Sequence, residues 1–379
     1  MNITTDPDQE VWHELQRPGS YEWWYFDAED DSQGISLVLI WFAGFAFSPS
    51  YLQHYQDWKD LVRPDVPVPS EYAGFSFQLY EHGREIINFI KDGSQGVFES
   101  SPSSIDVRFE QNAFSYDRLR DEYRLMIDFP FPARRKNVTA SLVFKPGHRY
   151  AFRRHDEKGV ANGYQHQWLL SVPKADVHGR ITVRDSKGET VRSIPVRGRG
   201  YHDHNLGTVP MHEYIAKWYW GRAFSERYDL VYYVIFFRDN GSAPLAVLML
   251  NDSRNGEQIV KDRVSFREEN FTRGLFAPFH GRLLSLEQDA VGVEVRHHSV
   301  LDSGPFYLRF RSRFSLNVDG SRLDGIRGIS EFLDPSALQS RFMRFFVRSR
   351  IWREGEESAM YRQYNFFKSR FDWFTKKKF

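Results

Sequence analysis

Short runs of aromatic and β-branched residues, each broken by a turn signal, dominate this chain and direct it toward antiparallel sheet. They cover 35–47, 72–80, 137–144, 163–172, 181–184, 230–237, 245–250, 283–286, 291–297 and 307–317. Turn dipeptides such as Lys187-Gly188, Asn240-Gly241 and Asp319-Gly320 separate several of them. Aromatic residues make up 16% of the chain, with Phe 33, Tyr 19 and Trp 10. That excess favours strands and large apolar cavities over helical bundles. At 379 residues the chain is too long for one ordinary core. The expectation is an all-β protein with two antiparallel barrels or sandwiches in tandem, over 1–198 and 199–352, followed by a helical tail at 353–379.

Composition then excludes whole classes of function. Cysteine is absent, which removes thiol catalysis, disulfides and thiolate metal sites. A formal net charge of +1 gives no field for nucleic acid. The first residues, Met1-Asn2-Ile3-Thr4-Thr5-Asp6, are polar and lack the order of a secretory leader. A cytoplasmic protein is expected, peripheral to the inner face of the membrane if its tail binds there. From Arg341 onward eleven Lys and Arg stand against four Asp and Glu, and the chain ends in Lys376-Lys377-Lys378. A basic pattern with Met360, Tyr364, Phe367, Phe371 and Phe374 at helical spacing suits a membrane surface or a helix packed across a barrel. A capped helix is expected to begin at Asp334-Pro335, with Leu338, Phe342, Phe345 and Ser349 on one face.

One run concentrates the chemistry: Gly200-Tyr201-His202-Asp203-His204-Asn205-Leu206-Gly207. In an extended strand, side chains alternate between faces. Tyr201, Asp203 and Asn205 then share one wall, and His202 and His204 the other. The first wall offers a proton donor. The second offers half a metal site, which His212 or Glu213 could complete. Gly198-Arg199-Gly200 lacks the helix and the Lys-Ser/Thr pair of a phosphate loop. Glu22 needs a partner if it is buried, with Arg199 or Arg222 as candidates.

The stretch from Gly198 to Gly207 continues into Pro210-Met211-His212-Glu213 and Trp218-Tyr219-Trp220-Gly221-Arg222-Ala223. Together with Tyr21-Glu22-Trp23-Trp24-Tyr25-Phe26, Phe42–Tyr51, Gln165-His166-Gln167-Trp168 and Gly328–Asp334, it resembles the carotenoid 1,2-hydratases, also called hydroxyneurosporene synthases. Lipocalin-like isoprenoid and polyketide cyclases belong to the same wider circle. The resemblance implies two lipocalin-like β domains, an apolar isoprenoid or carotenoid substrate and no cofactor. It also implies catalytic roles for His166 with Trp168 and for Tyr201 with Asp203. Histidines flanking the aspartate are a departure from the hydratases.

Hydrating an isolated alkene begins with protonation of carbon to a tertiary cation. Asp203 is the candidate acid and Tyr201 its hydrogen-bonding neighbour. His166 is the candidate base for the attacking water. Trp168 offers a π face to the cation, as do Trp23 and Trp24, with His202, His204, Asn205 and Trp218 as further substrate contacts. Two other readings stay open: a lipid or isoprenoid carrier without chemistry, and a polyene isomerase or cyclase. No metal is assigned, although the two histidines keep that question open.

Overall fold

The computed structural model describes residues 1–93, 96–155, 165–238, 243–274 and 277–353. The basic pattern beyond Arg353, the Asn240-Gly241 turn and the first residues of the 163–172 run lie outside them. From the N-terminus the strands are β1 (Asn2–Thr4), β2 (Tyr21–Asp30), β3 (Ile35–Ala43), β4 (Gly74–Glu81) and β5 (Arg84–Asp92). Next come β6 (Phe98–Ser100), β7 (Asp106–Phe109), β8 (Asn112–Asp117), β9 (Glu122–Phe131) and β10 (Lys136–His148). β11 (Arg153–His155) is short, whereas β12 (His166–Asp185) and β13 (Thr190–Gly207) are long. The rest are β14 (Ile215–Phe224), β15 (Tyr228–Phe237), β16 (Leu245–Asp252), β17 (Gln258–Lys261) and β18 (Ser265–Thr272). β19 (His280–Gln288), β20 (Val291–Ser303), β21 (Tyr307–Val318) and β22 (Ser321–Leu333) complete the set. The described helices are α1 (Pro49–Lys59) and α2 (Arg341–Arg348).

Two compact units form, and the chain passes between them more than once. An N-terminal unit comprises Asp6–Arg149, Trp168–Val209 and, of the described residues beyond them, 344–353. A C-terminal unit comprises Met1–Thr5, Tyr150–Gln167 and Pro210–Met343. Residues 198 and 199, where the sequence reading sets its boundary, both lie inside β13.

In the N-terminal unit the strand order is β5-β4-β3-β2-β13-β12-β10-β9-β8-β7-β6. This sheet curls on itself. The Trp41 indole on β3 donates to the Asn112 carbonyl oxygen on β8 at 3.0 Å, although five strands lie between β3 and β8 in the order. Phe26, Trp41, Phe75, Phe114 and Phe129 fill the enclosed core. Alternation is complete in β9, where Tyr123, Leu125, Ile127, Phe129 and Phe131 point inward and the residues between them do not. β2 differs. Trp24, Phe26 and Ala28 join the core, and Trp23, Tyr25 and Asp27, which face the other way, are buried as well.

The C-terminal unit repeats the device with the order β17-β16-β15-β14-β22-β21-β20-β19-β18. Tyr219 on β14 donates its hydroxyl to Glu268 Oε2 on β18 at 2.6 Å, closing that sheet over its own core. β1 pairs with β11 in the same unit. The expected pair of antiparallel barrels is therefore present, each as one curled sheet.

Glycine matters where β2 meets β13. A Cβ on Gly198 would lie 1.9 Å from the Glu29 carbonyl oxygen, and one on Gly200 would lie 2.6 Å from that of Asp27. These glycines permit close strand approach. Gly198→Ala is expected to cost about 1–3 kcal/mol by forcing the strands apart. Thermal unfolding checks this, and an unchanged Tm would show that the close approach imposes nothing.

Two helix expectations need correction. Ser48-Pro49 reads as a strand terminator, yet Ser48 caps α1, accepting from the Tyr51 amide at 3.3 Å with Pro49 in the first turn. Asp334 does cap, accepting from the Ser336 amide at 2.9 Å, but a 3₁₀ turn (Pro335–Gln339) follows it. That tighter turn resets the register before α2 begins. Leu338 and Ser349 are buried as expected, whereas Phe342 and Phe345 are 60% and 50% exposed and Arg344 and Val347 turn inward.

Candidate functional site

Alternation along β13 separates its side chains as the sequence requires. On one face, Tyr201 donates its hydroxyl to Asp203 Oδ2 at 2.7 Å. Trp168, brought alongside by β12, donates its indole N–H to the same oxygen at 2.8 Å. Asn205 donates its amide to Asp203 Oδ1 at 3.0 Å. All four residues belong to the N-terminal unit, and Trp168, Tyr201, Asp203 and Asn205 are all buried. Oδ2 accepts twice and Oδ1 once, so a proton on this carboxyl has its place on Oδ1, and the three donors stabilise the carboxylate once that proton leaves.

A second tyrosine–aspartate pair, not singled out in the sequence, lies beside the first. On β2 the Tyr25 hydroxyl donates to Asp27 Oδ2 at 3.0 Å. The antiparallel register sets Asp203 opposite Tyr25 and Tyr201 opposite Asp27. The Tyr25 and Tyr201 rings meet edge to face at 6.1 Å. Two Tyr-x-Asp pairs thus run head to tail on adjacent strands, placing two buried carboxyls on one face. Their shared spacing is a signal the sequence does carry. Trp23 lies on this face too, opposite Asn205 in the register and stacked on Tyr21 at 5.3 Å.

His202, His204 and Trp24 occupy the opposite face and are not brought to Asp203. His202 stacks on Phe26 at 3.7 Å, and His204 on Trp24 at 4.6 Å. The Tyr25 carbonyl oxygen can only accept, so His202 Nδ1 donates to it, at 2.8 Å. His202 Nε2 then faces Glu10 Oε1, with one proton between them. Tyr123 donates to the other Glu10 oxygen at 2.6 Å. Burial raises the Glu10 pKa, but the charge and hydrogen bond of His202, with Tyr123, outweigh it and hold the group below its ordinary value.

Glu22 has the same arrangement with other partners. It accepts from His204 Nε2 at 2.9 Å, from His13 Nδ1 at 2.8 Å and from the His13 amide. Its pKa is also lowered, the two histidines outweighing burial. His204 is pushed down, by burial first, against the opposing pull of Glu22. The histidines therefore supply the hydrogen bonds that buried Glu22 requires. Arg199 instead reaches Asp31, at 3.2 Å.

The metal question changes accordingly. His202 and His204 each hold a different glutamate and do not converge. His13, Glu22 and His204 do bring three ligand atoms within 4.8 Å of one another. A ligating histidine normally gives its second ring nitrogen to an acceptor, and His204 Nδ1 is buried without a hydrogen-bond partner. The three residues fit a hydrogen-bonded charge cluster better than a metal centre.

His166 and Trp218 belong to the C-terminal unit, where His166 Nε2 meets the Tyr233 hydroxyl at 3.0 Å and Trp218 stacks near its ring at 6.1 Å. His166 is buried and stands two residues before Trp168 in β12.

Comparison with known proteins follows the same direction. The family model described as Carotenoid hydratase CrtC matches residues 151–359. A Chlorobaculum tepidum protein named hydroxyneurosporene dehydrogenase is 56% identical, over 98% of this chain and 97% of its own. The acyclic carotenoid 1,2-hydratase of Rubrivivax gelatinosus is 23% identical over 79% of this chain and 66% of its own. Among solved structures, an AttH protein from Nitrosomonas europaea shares the fold, with a TM-score of 0.54 and 16% identity over 83% of this chain and 92% of that one. The chain belongs to the CrtC carotenoid hydratase family.

Proposed function

We propose that this protein adds water across a terminal carbon–carbon double bond of an acyclic carotenoid, a hydro-lyase reaction run toward hydration, with Asp203 as the acid. One observation carries the reading: a buried carboxyl held by three side-chain donors, in a chain of this family. Asp203 gives its proton to the alkene carbon, and the π electrons become the new C–H bond. A tertiary cation remains on the neighbouring carbon. Trp168, Tyr201 and Asn205 stabilise the carboxylate left behind. The faces of Trp168 and Trp23 attract the cation, by about 2 kcal/mol when desolvated. Asp27, the second carboxyl on this face, opposes its charge. Water attacks the cation and releases a proton to solvent, and a proton returned from solvent to Asp203 closes the cycle. The step balances without a redox cofactor.

Tyr201→Phe removes one hydrogen bond to the carboxylate, worth about 1.5–3 kcal/mol when the partner is charged. The expected result is a ten- to hundred-fold fall in kcat with KM little changed. An unaltered kcat would remove Tyr201 from the mechanism.

Product analysis tests the function itself. Incubation with an acyclic carotenoid is expected to yield a product heavier by one water. Unchanged carotenoid would support a carrier. With an electron acceptor added, a product lighter by two hydrogens would instead support the activity in the name of the Chlorobaculum relative.

A further inference from the structure

A pocket of about 260 Å³ opens within the C-terminal unit, where the end of β18 and the start of β19 meet β20 and β21. Its lining shares no residue with the His166 cluster. His280, His297 and Phe310 form the buried floor, and Arg273, Arg282 and His298 stand exposed around it. His297 stacks flat on Phe310 at 4.1 Å, just before a bulge at which the β20 register passes from His297 to Ser299. Bulges of this kind re-aim side chains and gather next to functional sites.

His297 is the anomaly. It is 3% exposed, lines the pocket, and makes no hydrogen bond of full geometry at either ring nitrogen, the Gly281 backbone being the polar group that approaches it. A buried group so weakly satisfied has capacity for a better partner. Burial, with His280 beside it, pushes its pKa down to about 3, so the ring is neutral and keeps one N–H to donate. His280 is already held, its Nδ1 donating to the Pro278 carbonyl oxygen at 3.0 Å.

The lip has a different character. Phe271 and Phe279 are 46% and 58% exposed and stack on each other at 5.0 Å across the ends of the hairpin. Val300, which lines the pocket, is 52% exposed. Exposed apolar side chains beside arginines form a surface that enters the interfacial layer of a bilayer. Planar guanidinium groups match the geometry of a phosphate group.

We propose that this pocket receives the phosphate group of an anionic membrane lipid. Arg273 and Arg282 supply the charge, His297 donates a hydrogen bond, and Phe271, Phe279 and Val300 enter the acyl boundary. The unit thereby docks on the membrane in which an apolar substrate resides. Vesicle binding needs no turnover, so this inference stands or falls separately from the hydration reading.

The test is flotation of the full chain with phosphatidylcholine vesicles, with and without phosphatidylglycerol. Wild-type protein should float with the anionic vesicles. Arg273→Ala and Arg282→Ala should each lower partition about five-fold, Phe279→Ala should lower it further, and His297→Phe should weaken it while preserving the stack on Phe310. Equal flotation of the wild type and the double arginine variant would overturn the proposal, as would a wild type that fails to float. Inorganic phosphate is the second probe. If it raises Tm through His297 while vesicles are ignored, the site serves a soluble phosphate and the lipid assignment is wrong.

Discussion

Asp203→Asn is expected to lower kcat by about 10²–10⁴-fold, the range that a positioned proton donor contributes, while the protein stays folded and still binds carotenoid. Asparagine keeps the shape of the carboxyl and one acceptor oxygen, which can take the place of Oδ2 opposite Trp168 and Tyr201. Its amide group then meets the Asn205 amide where Oδ1 had accepted, and a turn of Asn205 relieves the conflict. The cost in stability is therefore small against the loss of a transferable proton. Product formation, thermal unfolding and quenching of tryptophan fluorescence by added carotenoid separate the three effects. A variant that turns over at the wild-type rate would exclude Asp203 as the acid.

The second large effect is on stability. His202→Ala leaves the Glu10 carboxyl buried with Tyr123 as its remaining side-chain partner, and breaking a buried pair in this way costs about 3–5 kcal/mol. The same cluster sets a pH dependence. Glu10 and Glu22 both ionise below their ordinary value in the folded state. Their contribution is complete above about pH 4.5, the unfolded value, and is lost as pH falls through the folded values. His204 and His297, held below the ordinary 6.5, act with the same sign, because the unfolded chain takes up their protons first. Tm should thus decline from about pH 6.5 downward and steepen below 4.5. Glu10→Gln should start from a lower Tm and show a shallower acid limb. A wild-type Tm that stays flat to pH 4 would contradict the charge assignment.

The two-residue period of an extended strand makes much of this legible in the sequence. It marks the strand runs, and it sets Tyr201 with Asp203 and Asn205 on the face opposite His202 and His204. Long-range partners left no comparable trace. Glu10 meets His202 across 192 residues, from a 3₁₀ turn (Pro7–Glu10) inside an N-terminal stretch that reads as plain polar sequence. Trp168 reaches Asp203 because β12 lies beside β13, and only the family resemblance joined those two residues beforehand. Tyr25 and Asp27 share the spacing of Tyr201 and Asp203, but beside the Trp23-Trp24 pair they read as part of an apolar strand. α1 was hidden by Ser48-Pro49, which signals a strand end and a helix start equally well. Residues 166–172 of one predicted run and the run at 181–184 belong to one strand, β12, because its intervening residues pair with β10 and continue the ladder.

The most direct test of the hydration account is incubation of purified protein with an acyclic carotenoid in heavy-oxygen water, followed by mass spectrometry of the apolar extract. The account predicts a tertiary alcohol carrying one heavy oxygen, formed by the wild type and not by Asp203→Asn. Recovery of unlabelled carotenoid alone from the folded wild type would contradict it.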